Sequence, residues 1–218
     1  ARFVYTPYEN KTGKDSFTYV ALDQAGNTSP EAKVTLHIEK PNTKVTYADL
    51  EGSAAHKAAI RLAEEGILVG ESHGGRYFFQ PDQTVSRAEF LALAMDATGL
   101  EPMEDVTVTG FSDDEAIPTW AKAYAAAGVA DGIIQGVSTA EGVAFQGDEP
   151  ITFNEAATVL NRVLAVEDVD LAGWYADREA VPSWAAQAVG NMEAVSVLAA
   201  GSFGSAAMGE TVTRADAA

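Results

Sequence analysis

The 218-residue chain contains no cysteine, so it can form no disulfide bond and offers no thiolate for metal binding or nucleophilic catalysis. Its histidines, His37, His56 and His73, lie in separate segments without metal-ligand spacing, so we expect neither a metal nor another cofactor. Basic residues are scarce: 14 stand against 32 acids, for a net charge of −18, which argues against nucleic-acid binding. No apolar run approaches the ~20 residues of a membrane-spanning helix.

Residues 1–40 have the pattern of short β-strands. We predict strands at 3–5, 16–23 and 32–39, because apolar and polar side chains alternate in the last two and turn residues separate all three. Three strands are too few to close a sandwich, so we expect the end of a larger β-domain. A polar linker with a proline follows at 41–46.

This region resembles the closing strands of bacterial immunoglobulin-like or cadherin-like surface repeats, through the pattern F-V-Y-T-P-x-x-N-x-x-G-x-D-S-F-T-Y-V-A-x-D-x-A-G-N-x-S. The resemblance covers about forty residues and implies a stalk. Some such domains bind calcium, but Asp15, Asp23 and Asn27 are more simply interpreted as turn formers.

After Lys44 the sequence repeats itself. An aromatic-x-Asp triplet occurs at 47–49, 111–113 and 175–177, at steps of 64 residues, and Trp120-Ala recurs as Trp184-Ala at the same step. Several landmarks that recur in one order indicate divergent copies of one unit. The predicted copies are segment 1 (47–110), segment 2 (111–172) and segment 3 (173–218).

Each segment has the pattern of two helices around a glycine-bounded loop. The second helix carries apolar residues at helical spacing, for example Ala156, Val159, Leu160 and Val163. A unit this small cannot bury such a stripe alone, so we expect the three segments to pack against one another. The expected fold is therefore mainly α, preceded by a short antiparallel β-segment.

These features resemble S-layer homology domains, which share the aromatic-x-Asp start, the Trp-Ala helix opening, a Gly-Ile-x-x-Gly loop and a Thr-Arg-Ala-Glu second helix. The resemblance spans about 44–218 and implies three copies in a pseudo-threefold bundle. It also implies a place outside the cell, in the wall or S-layer. There the chain would anchor a surface protein non-covalently, through a pyruvylated secondary cell wall polysaccharide or another peptidoglycan-linked polymer.

Each second helix begins with a capping box or a close variant of one. A hydroxyl residue is followed three positions later by an acid, so each can satisfy a backbone amide of the other. Helix initiation is therefore the default interpretation of six residues, and the resemblance adds wall-polymer binding: Ser86, Glu89, Thr152, Glu155, Thr213 and Asp216.

Capping does not require an arginine at the first helical position, where Arg87 and Arg214 lie. A cation there is mildly unfavourable by itself, whereas free amides and the helix dipole attract anions. An arginine beside those amides would complete a two-pronged site for a carboxylate, such as that of a pyruvate ketal. We predict this role for both arginines, with a solvated arginine near neighbouring acids as the alternative.

Two tryptophans and three aspartates complete the candidate site. Trp120 and Trp184 suit either stacking on a sugar or anchoring of the first helix in the core, and core burial is favoured because aromatic rings dominate cores. Asp49, Asp113 and Asp177 lie ahead of a helix, where turn formation or capping is the default. The resemblance adds a second role for them near grooves between repeats.

The copies are unequal. Phe153 occupies the arginine position of segment 2, which removes the charge that would recognise a carboxylate. Segment 1 lacks the tryptophan of the other two, and Ser196 replaces the loop glycine in segment 3. Segment 3 ends five residues after Thr213, so we expect its second helix to continue beyond Ala218. The segments that keep the arginine are the better candidates.

One short motif suggests an enzyme. Residues 70–74 fit G-x-S-x-G, but that nucleophile elbow needs a preceding strand, a following helix and a large sheet, which the pattern does not predict. We therefore predict no catalytic residue. Two hypotheses remain: a wall-anchoring carbohydrate-binding module, and a structural or adhesive segment whose copies have lost wall binding. A catalytic domain upstream of Ala1 is a further alternative, and the oligomeric state is left open.

Overall fold

The computed structural model describes residues 5, 12–23, 26–38, 42–172 and 181–218. The chain divides into two compact units, Ala1–Lys44 and Val45–Ala218. Within the described ranges, every helix is too short or too polar to cross a membrane.

The first unit contains one antiparallel strand pair. β1 (Gly13–Tyr19) pairs with β2 (Ala32–Ile38) in a register that places Phe17 opposite Val34. Side chains of β2 alternate between half-buried and exposed, as the apolar-polar alternation of its sequence predicts.

β1 ends before the predicted limit at residue 23, because the chain turns after it. Asp23 accepts the backbone N–H of Asn27 at 2.8 Å, so both residues form a turn as expected. Asp15 was also expected in a turn, but this prediction is wrong: it lies inside β1, opposite Leu36. Of the predicted strand at 3–5, only Tyr5 lies among the described residues.

The second unit holds all six α-helices of the described residues, two short hairpins and two 3-10 turns. The helices are α1 (His56–Glu64), α2 (Arg87–Thr98), α3 (Thr119–Ala130), α4 (Phe153–Val163), α5 (Ala186–Ala194) and α6 (Arg214–Ala217). The hairpins pair β3 (Glu71–His73) with β4 (Arg76–Phe78), and β5 (Val137–Thr139) with β6 (Gly142–Ala144). The 3-10 turns are Asp114–Ala116 and Ala206–Gly209.

The fold is mixed and not clearly mainly α, because the loops predicted in segments 1 and 2 each fold into a hairpin. Strands of three residues are too short to show a two-residue alternation in the sequence, so the pattern gave no sign of them. The hairpin of segment 1 also contains Ser72, which lies in β3 opposite Tyr77. The G-x-S-x-G motif therefore contains a strand that is followed by a turn and a second strand, and it lacks the helix of a nucleophile elbow.

The apolar faces of the segments meet in a shared core. α2 packs against α3 and α4, and α4 packs against α5. One cluster of buried side chains includes Leu91 of segment 1, Phe145 and Ile151 of segment 2, and Val212 of segment 3. The segments thus bury their stripes against one another, as expected of units too small to form separate cores.

A ring of three backbone hydrogen bonds joins the segments at the residues that precede the capping boxes. Val85 donates its N–H to the carbonyl oxygen of Val212 at 2.9 Å, and Val212 donates to Ile151 at 2.9 Å. Ile151 donates to Val85 at 3.0 Å, which closes the ring. The three helix starts are therefore arranged around a common point, with one residue from each segment.

The end of the first helix has the same backbone conformation in all three segments. Gly66, Gly132 and Ser196 have φ angles of 73°, 72° and 65°. Ser196 therefore shares the left-handed conformation of the two loop glycines, which costs an L-residue roughly 1 kcal/mol or more.

Candidate functional site

Capping boxes form at the starts of α2, α4 and α6. At α2, the N–H of Ser86 donates to Oε2 of Glu89 at 2.8 Å, and the Ser86 hydroxyl accepts the N–H of Glu89 at 3.2 Å. Equivalent reciprocal bonds join Thr152 to Glu155 and Thr213 to Asp216. All six residues therefore initiate helices, as their spacing predicts.

The first amides of these helices are not free to bind an anion. The N–H groups of Arg87, Phe153 and Arg214 donate to the carbonyl oxygens of Glu149, Glu210 and Gln83, at 2.9, 3.1 and 2.8 Å. Each acceptor belongs to a different segment from its donor. The expectation of free amides at these helix starts is therefore wrong, and a ligand here must be bound by side chains.

Arg87 bridges segments 1 and 2. Its Nε–H donates to the carbonyl oxygen of Phe145 at 3.2 Å, and its Nη1 donates to Oε1 of Glu155 in an ion pair. The two side chains are 15% and 28% exposed, so water screens the pair only in part. Glu155 both caps α4 and compensates the charge of Arg87, which is not a solvated surface arginine.

Arg214 forms the same kind of bridge from segment 3 to segment 1. Its Nη1 donates to the carbonyl oxygen of Phe79 at 3.1 Å and to Oε1 of Gln80 at 3.2 Å. Within the described residues, no ion pair joins Arg214 to a carboxylate. Its charge is therefore less compensated than that of Arg87.

Asp113 holds the turn to which Arg87 binds. Its two carboxylate oxygens accept the N–H groups of Phe145 and Gln146, both at 2.8 Å. Gln146 has a φ of 54°, so these bonds stabilise a conformation that is uncommon for a residue with a side chain. Asp113 makes no side-chain cap bond to the 3-10 turn that follows it, so capping was the wrong expectation.

Asp49 holds the turn to which Arg214 binds. It accepts the N–H groups of Phe79 and Gln80 at 3.0 and 2.7 Å. Asp177 lies outside the described residues. In segment 3, Glu193 accepts the N–H of Phe203 at 2.9 Å, and sequence reasoning missed it because it is not part of the repeated triplet.

Two grooves open where the arginine of one segment meets the second helix of the next. The Arg87 groove has a volume of about 330 Å³, and its lining includes Arg87, Ile133, Glu155, Val159, Arg162 and Trp184. The Arg214 groove has a volume of about 150 Å³, and its lining includes Arg214, Ile67, Glu89, Leu93, Asp96 and Trp120. The two sets correspond position by position, and each groove takes residues from all three segments.

The tryptophans lie at the surface of these grooves and not in the core. Trp120 is 49% exposed and Trp184 is 59% exposed. The favoured prediction of core burial is therefore wrong, because the neighbouring Ala121 and Ala185, at 1% and 0% exposure, are the residues that anchor these helices. Two half-exposed indole rings remain available to a ligand.

The two departures at candidate ligand-binding positions, Phe153 and the missing tryptophan of segment 1, fall at the third junction of the ring. The Arg87 groove combines the arginine of segment 1, the second helix of segment 2 and the tryptophan of segment 3. The third junction, one step further around the ring, would combine Phe153 of segment 2, the second helix of segment 3 and the tryptophan position of segment 1. That position holds no tryptophan. Phe153 instead packs against two hydrophobic clusters.

Two charged groove residues were missed in the sequence. Arg162 donates Nη1 to the carbonyl oxygen of Ile133 at 2.8 Å. Asp96 accepts the hydroxyl of Tyr124 at 2.9 Å; burial, and then this bond, raise the pKa of Tyr124 to about 12. Arg162 and Asp96 each follow their capping hydroxyl by ten residues, and this equal spacing could have identified them.

Comparison with known proteins supports the repeat structure. Residues 46–91 and 110–157 match the S-layer homology domain family, in stretches that contain the capping boxes of α2 and α4. A stretch of 127 residues, 58% of the chain, is 31% identical to the Surface-layer 125 kDa protein of Lysinibacillus sphaericus. The chain spans 10% of that relative's length. These matches indicate a location at the cell surface or in an S-layer.

Proposed function

We propose that this chain holds a bacterial surface protein on the cell wall, without a covalent bond, by binding an acidic wall polysaccharide in the Arg87 groove and the Arg214 groove. The proposed ligand is a pyruvylated secondary cell wall polysaccharide or another peptidoglycan-linked polymer that carries carboxylates. The S-layer homology matches in segments 1 and 2 support a role at the wall. The similarity to the Surface-layer 125 kDa protein of Lysinibacillus sphaericus supports a secreted, surface-layer setting.

The observation that carries this proposal is the combination of an exposed tryptophan and a partly buried arginine in one groove, formed twice. Trp184 and Trp120, which are 59% and 49% exposed, each line a groove together with an arginine. A flat apolar ring suits the apolar face of a sugar, and a few fixed polar groups are what orients a ligand in a groove. The two requirements of an acidic sugar therefore meet in one place.

Arg87 retains donors for a ligand. A guanidinium has five N–H groups, and the contacts of Arg87 use its Nε–H and its Nη1. The two N–H groups of Nη2 are left for a carboxylate, in the planar geometry that arginine offers to such groups. Glu155 holds the guanidinium directly, whereas Asp113 fixes it indirectly by holding the Phe145 turn.

We propose further that segment 3 is a third, divergent copy, and that the first unit is the end of an immunoglobulin-like stalk. The capping box at Thr213, the left-handed Ser196 and the place of Val212 in the backbone ring support the first proposal. The antiparallel pairing of β1 and β2 supports the second.

A structural or adhesive segment without wall binding is the second candidate. Phe153 favours it, because one of the three junctions has exchanged its cation for an apolar contact. If the other two grooves had also lost wall binding, the exposed tryptophans would form contacts with other proteins.

Calorimetry with purified pyruvylated wall polysaccharide tests the proposal, with chemically depyruvylated polymer as the comparison ligand. We expect binding to the first polymer and loss of most of it on depyruvylation. The Trp120→Ala/Trp184→Ala variant should bind at least tenfold more weakly, and so should Arg87→Ala/Arg214→Ala. Arg61→Ala is the matched control, because Arg61 lies on α1 with a side chain that is 67% exposed, outside both grooves.

Circular dichroism must show native helix content in each variant before its binding is interpreted. Equal binding of both polymers would retain wall anchoring and refute the carboxylate mechanism. Absence of binding by the folded chain would favour the structural candidate.

A further inference from the structure

We infer that the two grooves take different sugar units: the Arg87 groove binds the carboxylate-bearing unit of the polymer, and the Arg214 groove binds an uncharged one. This inference rests on the proposed function and concerns the division of work between its two grooves. One pair of equivalent positions carries it, Arg162 in the first groove and Asp96 in the second.

Because Arg162 in one groove corresponds to Asp96 in the other, the two grooves have opposite net charge. The Arg87 groove contains two arginines and Glu155, which leaves one net positive charge. The Arg214 groove contains one arginine with Glu89 and Asp96, which leaves one net negative charge. An anionic sugar is therefore attracted by the first groove and repelled by the second.

Arg162 supplies the uncompensated cation. Arg87 is already paired with Glu155, whereas Arg162 has no ion pair within the described part of the chain and only one hydrogen bond, to the carbonyl oxygen of Ile133. That bond uses one Nη1–H and fixes the side chain against the wall of the groove. Arg162 also lies in the last turn of α4, where the helix dipole favours a cation.

Asp96, like Arg162, makes one hydrogen bond to a neighbouring element. It accepts the hydroxyl of Tyr124 at 2.9 Å, and the ring of Tyr124 lies edge-on to Trp120 with centroids 6.4 Å apart. Acceptor oxygens beside an aromatic ring suit a sugar with free hydroxyl groups, which can donate to Asp96 and Glu89. They exclude a second carboxylate, because like charges in close contact repel.

The sizes of the grooves agree with this division. The Arg87 groove is about 330 Å³ and the Arg214 groove about 150 Å³. A pyruvate ketal adds a second ring and a carboxylate to a sugar, so the modified unit requires the larger space.

Nuclear magnetic resonance of the indole N–H groups can follow each groove separately in the intact chain. The signals of Trp184 and Trp120 are assigned with the variants Trp184→Phe and Trp120→Phe. The probes are oligosaccharides released from the pyruvylated wall polymer, before and after removal of the pyruvate. With the acidic probe, we expect the Trp184 signal to shift at a concentration at least tenfold lower than the Trp120 signal.

Two substitutions test the positions that carry the inference. Arg162→Gln should weaken binding of the acidic probe at Trp184 by roughly tenfold, as expected when a charge-assisted contact is lost, and should leave the depyruvylated probe unaffected. Asp96→Asn keeps an acceptor for Tyr124 and should strengthen binding of the acidic probe at Trp120, which a purely structural Asp96 would not do.

Parallel shifts of both indoles with the acidic probe, in the wild type and in Asp96→Asn, would overturn the inference while leaving wall binding intact. Binding of neither probe, with no heat in calorimetry, would refute the proposed function and this inference with it. The two failures are therefore distinguishable.

Discussion

The guanidinium of Arg87 and the carboxylate of Glu155 form an ion pair across a segment boundary, although Glu155 is already engaged as the capping acid of α4. One carboxylate therefore orders a helix in segment 2 and an arginine from segment 1. Folding of the segments and assembly of the Arg87 groove are coupled through this single side chain.

We expect Arg87→Ala to lower the free energy of unfolding by about 1–3 kcal/mol, because it leaves a shielded Glu155 without its cation. Arg214→Ala should cost less, since Arg214 is joined to a carbonyl and an amide oxygen and not to a carboxylate. Urea denaturation of both variants measures the difference. An equal or larger loss in Arg214→Ala would contradict the coupling described for Glu155.

Asp113→Asn should loosen the turn that positions Arg87. An asparagine side chain retains one acceptor oxygen where Asp113 uses two, so we expect a loss of roughly 1–2 kcal/mol in the free energy of unfolding. Hydrogen exchange should also become faster at the amides of Phe145 and Gln146. Asp49→Asn offers the parallel experiment at the Arg214 turn. Unchanged exchange at these amides would show that the aspartate does not hold the turn.

The ionised carboxyl group of Asp114 should stabilise the fold at neutral pH and lose this effect in acid. The hydrogen bonds that Asp114 accepts from Lys122 and Thr109 lower the pKa of its carboxyl to about 2. Because an unfolded aspartate has a pKa near ~3.9, ionised Asp114 stabilises the folded chain above pH ~4, and this stabilisation disappears as the pH falls towards ~2.

Thermal unfolding of wild type and Asp114→Asn over a pH series tests this contribution. The wild type should be the more stable protein at neutral pH, and the two melting temperatures should converge between about pH 4 and pH 2. A difference that does not depend on pH would mean that Asp114 acts through its shape and not through its charge.

Ser196→Gly should raise the stability of the chain by up to ~1 kcal/mol, because glycine adopts a positive φ without the steric cost borne by serine. Gly132→Ser makes the reverse change at the equivalent position of segment 2 and should lower stability by a similar amount. The midpoints of denaturant unfolding measure both changes in stability. A stabilising Gly132→Ser would contradict the equivalence of the two helix ends.

Features that depend on neighbouring residues could be predicted from the sequence. The capping boxes at Ser86, Thr152 and Thr213 require only a hydroxyl and an acid three positions apart, and all three form. The division into segments rests on repeated landmarks of the same local kind and stays a prediction. Three-residue strands escaped prediction because they are shorter than the pattern that identifies a strand.

The composition of the grooves could not be predicted, because each groove joins three distant parts of the chain. Trp184, Arg87 and Glu155 line one groove because of the order of the segments around the ring, and the sequence does not show that order. Burial of the tryptophans was predicted wrongly, since an aromatic ring at a helix start can face the core or a groove with the same local sequence. The free amides were predicted wrongly because their acceptors come from other segments.

The backbone ring of Val85, Ile151 and Val212 takes one residue from each of the three segments. Each residue donates one backbone hydrogen bond and accepts one, so removal of any one of the three would leave an N–H group and a carbonyl oxygen of the other two without these partners. Because main-chain atoms form these hydrogen bonds, the side chains around them can differ between segments while the ring is kept. That freedom allows one junction to carry Phe153 in place of an arginine, and the two grooves to carry opposite net charge, on a frame that still closes.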